Sequence, residues 1–147
     1  MNHLLKRLLL VMIITLSLGL VAGPAAAGNP HVVKGPSTNV DGNTLTVTAS
    51  IAGLGNVPSA SFALVGTVDI FSQCYNKGGH NPAADNKEET LAVNESDTFP
   101  VRNGRTNVSF VVEPLSTLDC PGRQVVVIES VSWDLTLIGE GLNIPIP

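Results

Sequence analysis

The side chains best suited to chemistry crowd into one stretch. Between Cys74 and Glu89 stand Tyr75, His80, Asn81, Asp85, Glu88 and Glu89. Carboxylates, amides and carbonyls together are what a calcium ion needs, since it takes about six to eight oxygens. The spacing matches no D-x-[DN]-x-[DN]-G loop, so the plainer reading is a solvated polar segment shaped by Gly78-Gly79 and Pro82. Zinc is weaker still, because His31 stands alone near the start of the exported part and the two Cys are better used as a bridge. Tyr75 flanked by Asn76, Asn81 and Asp85 offers a sugar a stacking ring and polar neighbours, but a chain that is 4% aromatic is poor in such platforms. For hydrolysis, a Ser or Cys nucleophile needs a His base. His80 is the one candidate expected to be held by the fold, and G-x-S-x-G, H-E-x-x-H and C-x-x-C are all missing from the sequence. Glu88 and Glu89 are adjacent and so point to opposite sides of an extended chain, which does not suit paired-carboxylate glycoside chemistry.

The two Cys, Cys74 and Cys120, are expected to be joined. The chain begins with a short n-region carrying Lys6 and Arg7, an apolar run from Leu8 to Ala22, then Gly23-Pro24 and Ala25-Ala26-Ala27. This is the pattern of a cleavable secretory signal peptide over residues 1–27. Export to an oxidising compartment allows a disulfide, and one closing a span of this length contributes roughly 4 kcal/mol in the chain-entropy model. Cleavage leaves 28–147 as a single domain. Loss of Lys6 and Arg7 takes the formal net charge from −4 to −6. Such an acidic domain is a poor nucleic-acid partner, since phosphate neutralisation dominates that affinity, and no lipidation Cys or second apolar span holds it to a membrane after cleavage. The sequons at Asn94 and Asn107 are no more than chance supplies.

The elements that position these residues read as strands. Leu45, Val47, Ala49 and Ile51 alternate with Thr and Ser, and Asp41-Gly42 signals a tight turn before them. Phe62, Leu64, Val68 and Ile70 share a face of the next strand, Ser59 to Phe71, in which Gly66 marks a bulge or a close backbone approach. Asn103-Gly104 predicts a type I′ hairpin between Thr98–Arg102 and Thr106–Val112, the first arm demoted to an edge by Pro100. From Gln124 to Ile138 a long run places Val125, Val127, Val131, Trp133, Leu135 and Leu137 on one face, interrupted at Glu129, where the strand is expected to bend. Trp133 in this phase reads as core. Ala83 to Val93 is the one place where a helical turn fits. Short strands with Gly, Pro and Asn punctuation predict an all-β, two-sheet antiparallel sandwich of immunoglobulin-like topology, with a jelly roll or small barrel as the alternative.

Ala52-Gly53-Leu54-Gly55-Asn56-Val57, then Cys74-Tyr75-Asn76-Lys77-Gly78-Gly79-His80-Asn81-Pro82 leading to Asn86-Lys87, then Phe99-Pro100-Val101 before Asn103-Gly104, resembles an uncharacterised family of small secreted bacterial β proteins. The resemblance implies secretion and a β domain and carries no activity. The expectation is therefore a secreted, non-enzymatic sandwich without cofactor. It would bind an extracellular ligand through Tyr75, His80, Asn81 and Asp85, with periplasm or cell-wall space as the alternative location. A small hydrolase using His80 and a calcium-stabilised module are the other readings.

Overall fold

A computed structural model describes residues 28–76 and 82–147, without the side chains of 82–85. The signal peptide, His80 and Asn81 lie outside the described residues. Seven strands follow in order: β1 (His31–Asp41), β2 (Thr44–Ala52), β3 (Ser59–Tyr75), β4 (Pro82–Pro100), β5 (Thr106–Val112), β6 (Val125–Gly139) and β7 (Leu142–Pro145). They form a three-stranded sheet, β1-β2-β5, and a four-stranded sheet, β4-β3-β6-β7, with every pairing antiparallel. The two sheets pack face to face as a sandwich. The order is immunoglobulin-like, with the fourth strand paired to the third rather than to the fifth.

Period-two alternation is what makes this possible, because each strand offers one apolar face. Leu45, Val47, Ala49 and Ile51 of β2 are buried, as are Val108, Phe110 and Val112 of β5. Facing them are Phe62, Leu64, Val68 and Ile70 of β3 and Leu135 and Leu137 of β6. Phe99 of β4 crosses between the layers. Its ring lies 6.3 Å from that of Phe62 and 5.5 Å from that of Phe110, the latter at 76°, the edge-on geometry aromatic pairs prefer.

Three sequence expectations are corrected. First, the segment after Cys74 is not a loop as far as Glu89, nor helical between Ala83 and Val93: β4 begins at Pro82 and runs to Pro100. Its backbone pairs with β3 from Pro82 onward, and that ladder outweighs the weak helical pattern of a polar sequence. Second, the Asn103-Gly104 turn forms, with φ of 51° and 70°, but only Arg102 and Arg105 pair across it. Beyond them the arms part, β4 into one sheet and β5 into the other. Third, the inward residues of early β6 are Val126 and Ile128, not Val125 and Val127. Between Phe71 and Ser72 the register slips, with Ser130 and Ile128 as successive partners and Glu129 as the extra residue. One extra residue inverts every side chain before it; at this rim Ile128 is half-buried, while Val125 and Val126 are 49% and 38% exposed.

Short two-residue turns close β1–β2 and β6–β7. The latter uses Glu140 and Gly141 at φ of 52° and 80°. Strand β7 pairs only with Thr136–Gly139, so among the described residues Val125 to Asp134 of β6 have no strand on that side. At Gly66, φ is +137° and an added Cβ would lie 2.0 Å from the Asp134 carbonyl oxygen. Gly66→Ala is therefore expected to lower stability by about 2–4 kcal/mol through positive-φ strain and overpacking. Urea denaturation measures this, and an unchanged midpoint would refute the close approach.

Candidate functional site

The two ends of the sandwich differ in how they use polar groups. At one end Cys74, fully buried at the end of β3, is bonded to Cys120 in the β5–β6 connection, with Cα atoms 5.6 Å apart. The bridge fits an oxidising compartment. The same connection is held by a polar clamp. Glu89 faces inward from β4 at the rim of the core, and its carboxylate accepts from Ser116 Oγ (3.0 Å), from the Thr117 backbone N–H (2.9 Å) and from Thr117 Oγ1. Lys87 Nζ lies 2.9 Å from the same carboxylate and donates to Thr117 Oγ1 at 2.6 Å. Ser116 in turn meets buried Ser72 at 2.7 Å, and Asn43 clasps the Ser116 backbone by both its N–H and its carbonyl.

Serine, threonine, lysine and glutamate in contact invite a catalytic reading, and the electrostatics argue against it. The Thr117 hydroxyl, then Lys87 and the other donors, hold the Glu89 carboxyl down at about 2 despite the opposing cost of burial. A general base works best with a pKa near the ambient pH, and this carboxylate has its oxygens already occupied. The cluster is an anchor for the connection that carries Cys120.

Of the residues expected from the sequence to form a site near this end, Tyr75 closes β3 on the outer face of its sheet. Its hydroxyl bonds the Glu129 carboxylate, which raises the phenol's pKa above the ordinary value. Asp85 sits in β4, with its side chain outside the described residues together with His80 and Asn81. Among the described residues there is no group of three or more His, Cys, Asp or Glu able to hold a metal. Trp133 faces inward with Val131 and Leu135, and its indole N–H donates to the Pro147 carbonyl at 3.0 Å, so it closes the C-terminus rather than offering a platform.

The opposite end holds a feature that the sequence alone does not single out. A groove of about 720 Å³ lies on the outer side of the three-stranded sheet, and its lining includes Lys34, Arg102 and Arg105 and no acid. The domain 28–147 has six basic residues in all, so half of its positive charge faces one groove. Two features of the backbone build it. Register shifts at Val32/Lys34 and Lys34/Ser37, around Gly35 at φ +79°, lift β1 out of the pleat and form one wall. The Asn103-Gly104 turn forms the other, fixed by Leu54 N–H to Gly104 O (3.0 Å) and Val101 N–H to Pro58 O (2.9 Å). Arg102 and Arg105 exchange both backbone bonds across the turn, so their side chains leave the same face. On the floor, Lys34, Ser50 and Asn107 occupy one row across the three strands, and Ser50 Oγ donates to Asn107 Oδ1 at 2.7 Å.

Like charges directly opposite on paired strands are destabilising. Among the described residues no carboxylate offsets Arg102, Arg105 or Lys34, whereas Lys87 has one. Local arrangements that work against stability occur at functional or strained sites. The Arg pair was readable in the sequence, since a two-residue turn makes its flanking residues neighbours. Lys34 was not, because only the sheet order brings it there. In comparisons with known proteins, no family model matches the chain, and neither a curated protein nor a solved structure matches it.

The clamp predicts an acid dependence. With its folded pKa depressed to about 2 from 4.5, Glu89 contributes its full stability above the unfolded value, and that contribution is lost as pH falls from 4.5 towards 2. Glu89→Gln is expected to cost about 1–3 kcal/mol at pH 7, as for charge-assisted bonds. The gap to the parent protein should close in acid. Denaturation curves at pH 7, 4 and 2 check this, and a gap that stays constant with pH would contradict it.

Proposed function

We infer that the protein is a secreted, non-enzymatic β-sandwich that binds a negatively charged extracellular ligand at the groove between the β1 bulges and the Asn103-Gly104 turn. The observation that carries this reading is the gathering of Lys34, Arg102 and Arg105, unpaired among the described residues, on an otherwise acidic domain. Arginine presents its donors in a planar fork suited to carboxylate, sulfate or phosphate. The site sits on a rigid scaffold, so little ordering cost is incurred on binding. The N-terminal n/h/c pattern and the motifs resembling small secreted bacterial β proteins support export, as does the disulfide. His80 and Asn81 lie outside the described residues and take no part in this reading.

The test uses the mature protein against a panel of carboxylated, sulfated and phosphorylated probes. Binding is expected to fall at least tenfold in Lys34→Ser/Arg102→Ser/Arg105→Ser and to weaken with salt, while melting stays the same or rises, because opposed like charges are removed. A panel with no ligand, or a triple variant that binds as well as the parent, would overturn the reading. Hydrolysis of an ester, peptide or glycoside that disappears in His80→Ala would overturn the non-enzymatic part.

A further inference from the structure

Resting on that reading, we propose that the ligand is a linear acidic polysaccharide, with one anionic group clamped by Arg102 and Arg105, a second met by Lys34, and neutral sugar hydroxyls bonded by Ser50 and Asn107 between them.

The spacing carries the argument. Lys34, Ser50 and Asn107 are register partners across three neighbouring strands. Strands lie about 4.8 Å apart, so Asn107 and Lys34 are about 10 Å apart across the sheet. Arg105 stands two residues along β5 from Asn107, about 7 Å further in the strand direction. The Arg pair and Lys34 are thus separated by about 12 Å at the backbone. That distance suits anions set a disaccharide apart better than a single carboxylate or sulfate. The interval is not apolar. Ser50 gives its proton to Asn107 Oδ1, a bond that uses neither the acceptor capacity of the Ser50 oxygen nor the Asn107 amide N–H groups, and both residues line the groove. Neutral donors and acceptors between two cationic points are what a sugar ring carrying hydroxyls between its charges requires.

The hydroxyl track continues beyond Lys34. A shallower shelf of about 200 Å³ shares Lys34, Ser50 and Asn107 with the groove and is lined further by Ser37, Thr48 and Ser109. Ser37 and Thr48 hydroxyls are 3.0 Å apart there. The surface is therefore elongated, which suits a chain rather than a compact ion. Single-stranded nucleic acid is a worse fit, because it is held by aromatic rings on which bases stack, and neither the groove nor the shelf is lined by a Phe, Tyr or Trp. Charge here takes the place of the aromatic platform that a neutral sugar would need.

Titration calorimetry of the mature protein with oligogalacturonides of increasing length, and with heparin oligosaccharides, tests the proposal. Polyglutamate and oligo-dT serve as competing polyanions. Affinity for at least one saccharide series is expected to rise steeply once the chain spans both cationic points and then to level off. Ser50→Ala/Asn107→Ala, which leaves the charge unchanged, should weaken saccharide binding about tenfold and leave polyglutamate binding unaltered. Saccharide affinity independent of length, or equal loss for saccharide and polyglutamate in the double variant, would overturn the polysaccharide. So would polyglutamate or oligo-dT binding as tightly as the saccharides. In those cases the groove would survive as a general anion site. Failure of every anionic probe would remove that reading as well.

Discussion

Strand β3 is hydrogen-bonded along both edges for most of its seventeen residues, and the rest of the sandwich is arranged around that double pairing. Its inner face, from Ala60 through Phe62, Leu64, Val68 and Ile70 to Cys74, is the floor on which the three-stranded sheet is laid. Backbone pairing on both sides removes the need for polar side chains on that floor, so burial can be almost wholly apolar. It also forces close contact with β6, which Gly66 accommodates by having no Cβ. Because Cys74 stands next to the end of β3, its position also fixes where the β5–β6 connection is stapled. The opposing sheet inherits its order from the same source: β4 is held at the edge by β3, and the chain must cross layers at the Asn103-Gly104 turn to begin β5.

The two ends of the molecule handle charge in opposite ways. Around Glu89 every strong donor is matched to an acceptor inside the protein: Lys87, Ser116, Thr117 and the Asn43 amide consume one another's capacity. The long connection this clamp secures is irregular in backbone, and within it the buried Gln124 Oε1 has no hydrogen-bond partner. At the turn end, guanidinium and ammonium groups are left to solvent while the backbone beneath them is tied down by Leu54 and Val101. A stiff backbone beneath such groups means that their attachment points are ordered on folding.

Much of the architecture was legible in the sequence, because alternation on β2 and β5 and on the first half of β3 leaves little choice of face. The turn at Asn103-Gly104 was also legible, since positive φ at both centres demands such residues. That its arms enter different sheets was not, because this depends on which strand captures β4, a long-range competition that local pattern does not record. Glu129 signalled an interruption but not its size, and a single inserted residue was enough to exchange Val125 and Val127 for Val126 and Ile128 on the inner face. The Glu140-Gly141 turn escaped notice because glutamate is not a usual residue at positive φ. The site was less legible than the fold. Chemically versatile side chains near Cys74 stand out in a sequence, whereas the groove is made of ordinary cations brought together by register.

The shortness of β7 has its own consequence. Among the described residues, strand β6 presents Val125-Val126-Val127-Ile128 with no neighbouring strand on one flank, a composition that would ordinarily invite another molecule to extend the sheet. The inserted Glu129 breaks the pleat between that segment and Val131. An incoming strand that matched one half in phase would be out of phase with the other. Fibril-like growth along this flank is thereby interrupted after a few residues. The same irregularity that redirects the valines inward keeps the exposed remainder from acting as a template.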